Sequence, residues 1–327
     1  MTPDCRTTRD GQALAPGPSR HSAPVLRLPA RPLAAAWHET RASLAPLDYA
    51  TLAYALVVTI ALALHWPVRS PATGLLPVAH VALVAVALLA PAARRSGRVG
   101  QLVGDLYPLP LVSFLYTEVG ILNTIAGRMH DPSIQAVEEA LFGAQLSAQW
   151  IRHWPWPWFS TLLHAGYLSF YLIVALPPIA LWLTRRRGEA ARVTFLVATT
   201  FYICYAVFLI LPVAGPRYLF PRAVNPATSV PLALLTQALL NSAAAWGTAF
   251  PSSHVAVALV ASVRASWASR ALGWIFVPLA VLLTCGTVYG QFHYAVDALC
   301  GVILATVVLV AERLRMRRQA DRDSAKR

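Results

Sequence analysis

Long uninterrupted apolar runs constrain this chain more than any other feature. They fall at about 48–66, 74–92, 106–126, 159–184, 192–213, 252–268, 271–290 and 293–313. Each is close to the roughly 20 residues an α-helix needs to cross the hydrocarbon of a bilayer. Lipid offers the backbone no hydrogen-bond partners, so the runs must pair internally. They therefore predict an all-α polytopic membrane bundle of about eight transmembrane helices. Composition agrees: charged residues make up 13% of the chain, against roughly 25% in soluble domains, and the mean hydropathy is +0.54.

The organisation follows from where the runs lie. Residues 1–47, rich in Arg, Pro and Ser, read as a disordered cytoplasmic tail with a short interfacial helix near Trp37. No apolar segment follows a short basic start, so a cleaved signal peptide is not expected. Residues 48–104 hold two accessory spans, 105–313 a six-span membrane domain, and 314–327 a basic cytoplasmic tail. The less apolar stretch 130–150 reads as an interfacial helix, as does 229–245. Trp150, Trp154, Trp156 and Trp158 alternate with Pro155 and Pro157 in the manner of an interfacial aromatic belt. No internal repeat is evident.

The net charge of +13 admits two explanations, nucleic acid or cytoplasmic loops. The arginines sit between apolar runs and at the ends, with no basic patch interleaved with aromatics, so nucleic acid is not expected as a partner. With eight spans and both termini in the cytoplasm, only Arg69, Arg128, Arg152, Arg217 and Arg222 of the 27 Lys and Arg residues face outward. One span more or fewer would destroy this positive-inside bias. Lys326 is the sole lysine, a compositional hint of a GC-rich bacterial source and hence of an inner or plasma membrane. Cys5, Cys204, Cys285 and Cys300 show neither CxxC nor metal-ligand spacing and read as small core residues.

Three short patterns fall on the outward side of this topology. Gly215-Pro216-Arg217-Tyr218 follows the fifth span, Phe250-Pro251-Ser252-Ser253-His254 opens the sixth, and His293-Tyr294-Ala295-Val296-Asp297 opens the eighth. His293 and Asp297, four apart on a predicted helix, share a face. A carboxylate that takes one imidazole N–H leaves the other nitrogen as a lone pair in a fixed tautomer, which makes a nucleophile. Pro251 and Ser252 suit a first helical turn, whose free N–H groups and dipole attract phosphate. His254 in that turn could protonate a leaving group, and Arg217 could hold equatorial oxygens. The bland readings are a structural His–Asp pair, a helix-start His254, and interfacial charges at Arg217 and Arg222. A metal would need a third ligand that is not in view.

Glu118 in the third span and His164 in the fourth are intramembrane ionisable groups, which either pair with each other or approach the head-group site. Tyr116, Tyr167 and Tyr171 read as core or interface aromatics. Asp131 reads as the cap of the interfacial helix. Gly286 and Gly290 read as sites of close helix packing.

The PSSH and HxxxD pair, separated by a loop and a span, resembles the type 2 phosphatidic acid phosphatase superfamily. GPRY, FPSSH and VYGQFHYAVD, with the run from Asp131-Pro132 to Leu141-Phe142-Gly143, are most similar to its inositol phosphorylceramide synthase branch. The resemblance covers about 105–313. It implies a six-helix catalytic core and attack on phosphorus by His293, giving a phosphohistidine. Asp297 would orient His293, His254 would protonate the leaving oxygen, and Arg217, Ser252 and Ser253 would bind phosphate. The substrate would be a lipid or polyprenyl phosphate, the acceptor water or an alcohol, with no metal or organic cofactor.

Two departures bear on the substrate. The phosphatases of the family carry Lys-x6-Arg-Pro where this chain has Gly215-Pro216-Arg217, and an Arg six residues before the nucleophile where it has Thr287. Fewer cations favour a phosphodiester and phosphotransfer. The alternatives are a plain lipid phosphate or polyprenyl-diphosphate phosphatase and, in another class, a non-catalytic lipid-binding or transport protein. The oligomeric state is not legible.

Overall fold

The computed structural model describes residues 43–65 and 76–326. Residues 1–42, with Cys5 and Trp37, and 66–75, with Arg69, lie outside them. Helices occupy all eight predicted positions. In chain order they are α1 (Pro46–His65), α2 (Leu76–Arg95), α3 (Gly97–Leu106), α4 (Pro108–Ala126), α5 (Asp131–Phe142), α6 (Leu146–His153), α7 (Pro157–Leu168), α8 (Phe170–Leu183), α9 (Arg187–Ile210), α10 (Pro216–Leu219), α11 (Pro231–Ala243), α12 (Ser253–Ala268), α13 (Arg270–Tyr289) and α14 (Ala295–Ser324). The described residues contain no strand, only an isolated bridge between Val213 and Thr248.

Among the described residues six helical segments are long and apolar enough to cross a membrane: α1, α2, the continuous stretch Gly97–Ala126, α9, α13 and α14. The chain is an integral membrane protein. The fourth predicted span is instead two helices, α7 and α8, bent by 45° at Ser169. There the Ser169 hydroxyl donates to the Gly166 carbonyl at 2.6 Å, the local side-chain bonding that bends helices. The sixth, α12, has 16 residues and is short of a full crossing. It can be short because neighbours shelter it: α8, α9, α13 and α14 pack around it. Ala256, Ala258, Ala261 and Ala265 on α12 are fully buried, and such small side chains let neighbouring backbones approach.

Against α9, on its other side, lie α1 and α4, with α2 behind α1. The outward faces of α1 and α2 expose Leu56, Ile60, Leu64, Val78, Val81 and Leu89, as a lipid-facing surface does. The interfacial stretch predicted as one helix over 130–150 is two, α5 and α6. Gly143, at φ +67°, breaks it by ending α5 in a left-handed cap. Trp154, Trp156 and Trp158 stack in series, with ring centroids 5.4 and 6.1 Å apart.

The two ends of the bundle differ in chemistry. At one end carboxylates, all but Glu189 buried, bind arginines. Asp48 meets Arg94 at 2.6 Å, Asp105 meets Arg187 at 2.5 Å, and Arg264 meets Glu189 at 2.7 Å. Glu312 gathers Arg192, Arg264 and Arg315. The opposite end holds α5, α6, α10, α11 and all three sequence patterns.

Candidate active site

Backbone hydrogen bonds draw the three patterns together. The Ala249 N–H donates to the Val213 carbonyl at 2.9 Å, which lays the approach to the second pattern beside the first. The Ser252 N–H donates to the Asp297 carbonyl at 3.0 Å, joining second to third. Asp131 joins first to third. Its carboxylate accepts the N–H groups of Ala214 and Gly215, both at 2.8 Å, and the Tyr294 hydroxyl at 3.1 Å. This corrects the capping role expected of Asp131, since no side chain caps α5. The physical reason is the bend at Gly215, φ +97°, which presents two successive N–H groups that only a buried acceptor can satisfy. A Cβ on Gly215 would come within 3.1 Å of the Ala249 Cβ, so the close approach of the first two patterns also requires glycine there.

His293 and His254 face each other with ring centroids 5.7 Å apart. His293 Nδ1 lies 2.9 Å from the Ala249 carbonyl oxygen and 3.5 Å from Asp297 Oδ2. The shorter contact goes to a backbone acceptor, so Nδ1 carries the proton and Nε2 is left with the lone pair. Asp297 is fully buried, and its Oδ2 also accepts the Tyr294 N–H at 2.8 Å, closing the first turn of α14. His254 stacks on Tyr167 at 5.5 Å and packs on Phe170 at 4.3 Å, rings supplied by the two sides of the α7–α8 bend. Its Nδ1 has no hydrogen-bond partner.

A small cavity of about 40 Å³ lies between these groups, lined by His254, His293, Arg217, Tyr116, Tyr167 and Thr248 among others. Arg217 holds Asn241 Oδ1 at 2.6 Å through Nη2, while its Nη1 is unpartnered. Imidazoles and an unpaired guanidinium nitrogen around one space can receive an anion and move a proton to or from it. Ser252 and Ser253 are buried at the start of α12 and do not line this cavity. Ser252 caps the helix, its Oγ accepting the Val255 N–H at 3.4 Å.

The remaining candidates separate. Glu118 lies 3.7 Å from His80 of α2, away from the cavity, and does not pair with His164. His164 and Arg222 line a second, larger cavity of about 260 Å³ that shares Arg217, Tyr218 and Phe292 with the first. Tyr116 and Tyr167, expected as core or interface aromatics, both border the cavity between the two histidines. Glu138 is also close. It accepts the Ala295 N–H at 3.1 Å, and burial pushes its carboxyl up to about 7, with Asp297 adding to the rise. Asn241, Glu138 and the Ala249 carbonyl had no signal in the sequence, since each acts through a contact across more than 20 residues.

No curated protein and no solved structure matches the chain. The family model of the PAP2 superfamily matches residues 132–311, more than half of the 327-residue chain, from α5 through most of α14, with all three patterns inside the match. The chain belongs to the PAP2 superfamily and is a phosphatase-type enzyme of the membrane.

Proposed function

We propose that this protein transfers a phosphoryl or phosphodiester group of a membrane lipid to an acceptor through a phosphohistidine on His293. The observation that carries the reading is the facing pair of histidines over one cavity, with His293 Nδ1 tied to a backbone carbonyl so that Nε2 is free for phosphorus. Nε2 attacks, and the bond from phosphorus to the leaving oxygen breaks. His254 donates a proton to that oxygen. The acceptor hydroxyl then attacks phosphorus, returns a proton to His254 and releases His293. Asp297 and the Ala249 carbonyl hold the ring and balance its charge, and Arg217 pairs with the equatorial oxygens. Ser252 and Ser253 act indirectly, by starting α12 beside the phosphate.

The scarcity of cations favours a phosphodiester, and an alcohol as acceptor in the manner of inositolphosphotransfer. Among the described residues Arg217 is the one Lys or Arg lining the nucleophile cavity, whereas a monoester dianion would call for more positive charge. The reaction is assigned to the extracytoplasmic face and both termini to the cytoplasm. The outward arginines and the separation of the ion-paired end from the site support this orientation.

The test is to incubate the purified enzyme with labelled phosphatidic acid, undecaprenyl diphosphate, and phosphatidylinositol with ceramide or another alcohol. Product from the diester with the alcohol, and an acid-labile label on the wild type that is lost in His293→Ala, are expected. Full turnover by His293→Ala would sink the mechanism. Turnover of phosphatidic acid alone would return the protein to plain hydrolysis.

A further inference from the structure

Two tyrosines line the cavity between His254 and His293, and their hydroxyls are differently placed. The hydroxyl of Tyr116, on α4, lies 2.8 Å from Thr248 Oγ1, which is itself 2.8 Å from the Ala245 carbonyl oxygen. A carbonyl can only accept, so the Thr248 proton goes to Ala245 and the Tyr116 proton to Thr248. The Tyr116 hydroxyl is thus committed to the fold. Tyr167, on α7, is 6% exposed, and among the described residues its hydroxyl has no hydrogen-bond partner. Its ring is held from two sides. It stacks on His254 with centroids 5.5 Å apart and planes at 21°, and it packs on Phe292 at 4.5 Å. Behind it α13 comes close, so that a Cβ on Gly286 would lie 3.5 Å from the Tyr167 Cβ. A ring clamped in this way fixes where its hydroxyl points, and the Arg217 guanidinium is near enough to act on that hydroxyl electrostatically. Arg217 Nη1 is also without a partner. Two donors without acceptors around one space call for a ligand rich in acceptor oxygens.

We propose that Tyr167 is a catalytic residue whose hydroxyl donates a hydrogen bond, beside Arg217, to a non-bridging oxygen of the phosphorus group that His293 attacks. The proposal rests on the phosphotransfer reading above. As Nε2 of His293 bonds to phosphorus, negative charge builds on the equatorial oxygens, and a donor already held in place stabilises that charge without reorganising. Tyr167 keeps its proton throughout; the proton for the leaving oxygen comes from His254. The position where the phosphatases of the family carry a further arginine gives no substitute. Thr287 stands there, and it spends its hydroxyl proton on the Thr284 carbonyl at 2.7 Å. A neutral phenol adds a hydrogen bond without adding charge, which suits the single negative charge of a diester.

The experiment compares the purified full-length wild type with Tyr167→Phe, Tyr116→Phe and His293→Ala, on labelled phosphatidylinositol with ceramide and on labelled phosphatidic acid. Tyr167→Phe should lower kcat by about ten- to a hundredfold on whichever substrate the wild type turns over, the worth of one hydrogen bond to a charged oxygen, with KM little changed. Phenylalanine keeps the ring between His254 and Phe292, so the ligand-free melting temperature should not move. Tyr116→Phe should show the reverse, a melt lowered by about 2 °C and a far smaller loss of kcat. An unchanged kcat in Tyr167→Phe, or an equal loss in both phenylalanine variants, would overturn the assignment. Its failure is separable from that of the reaction. Full turnover by His293→Ala sinks the phosphohistidine, whereas a dead His293→Ala beside a fully active Tyr167→Phe removes Tyr167 alone.

A second readout does not depend on turnover. Orthovanadate takes the five-coordinate geometry of phosphorus under attack and should raise the melting temperature of the wild type and of Tyr116→Phe. Tyr167→Phe should need about tenfold or more vanadate for the same rise. An unchanged requirement would overturn the assignment even in a protein that turns nothing over, and no effect on the wild type would overturn it together with the phosphate site.

Discussion

Replacing Asp131 by alanine should loosen the site without touching a group that meets substrate. The carboxylate is 2% exposed and satisfies two backbone N–H groups at 2.8 Å and one hydroxyl at 3.1 Å. Alanine leaves the Ala214 and Gly215 N–H groups without an acceptor. Each buried orphan costs about 1–3 kcal/mol, so the pair costs roughly 2–6 kcal/mol, with the lower half expected where water can enter from the interface. Tyr294 loses less, because Gln135 still donates to its hydroxyl. For a chain of this size each kcal/mol moves the melting temperature by about 2 °C, so a fall of roughly 5 °C is expected. Arg217 lies two residues beyond Gly215, so turnover should fall by about tenfold through kcat. Asp131→Asn keeps one acceptor oxygen and should show about half of the thermal effect. Intrinsic tryptophan fluorescence on heating reads the first quantity, and release of labelled product the second. A variant within about 1 °C of wild type and fully active would refute the claim that Asp131 ties the first pattern to the third.

Other perturbations test other parts. Burial raises the Glu138 carboxyl from 4.5 to about 7, so the folded protein keeps a proton that the unfolded chain has already released between those values. Its stabilising contribution is full below pH 4.5 and is lost as pH rises through about 7. Glu138→Gln keeps an oxygen for the Ala295 N–H and should flatten that slope, melting higher than wild type above neutrality; an unchanged slope argues against it. Gly286→Leu should cost about 1–3 kcal/mol and lower turnover. A Cβ there meets the Leu163 carbonyl oxygen at 2.5 Å and pushes α13 from α7, which carries Tyr167 and His164. Thermal melting would show it, and a normal melt would contradict the packing. Glu312→Leu takes the shared carboxylate from Arg192 and Arg315 and leaves Arg264, itself 2% exposed, with Glu189 alone, and should cost about 3–5 kcal/mol, read as loss of folded protein on extraction into detergent. A well-folded variant would show that Glu189 alone satisfies Arg264.

Much of the architecture was legible because lipid leaves the backbone so few options. Eight apolar runs had to become eight helical positions, and they did. What periodicity and length could not convey was the inequality among them. α12 is short because Ala256, Ala258, Ala261 and Ala265 let four helices close around it, and the fourth span bends because Ser169 bonds back to Gly166. Local spacing put His293 and Asp297 on one face of a helix, whereas His293 lies ahead of α14, which starts at Ala295, and the Ala249 carbonyl, 44 residues away, comes closer to its Nδ1 than the carboxylate does. It read Asp131 as a cap because a residue ahead of a helix is judged by its neighbours, whereas its partners lie 83, 84 and 163 residues on. It left Glu118 with a choice of partners and did not include His80, since a buried ion in the membrane announces that it needs a partner without naming one.

The sequence by itself determined the medium, the helical class and the three clusters of chemistry-bearing residues, because hydropathy, helical period and short motifs are properties of neighbours along the chain. Only the tertiary structure decided which of those residues share a cavity. It set Arg217 between two spaces, sent His164 and Arg222 to the larger one, and left Gln291 buried with an unanswered amide. The physical reason is that hydrogen bonds and cavities depend on distances across helices, which a linear pattern does not contain until packing has closed them.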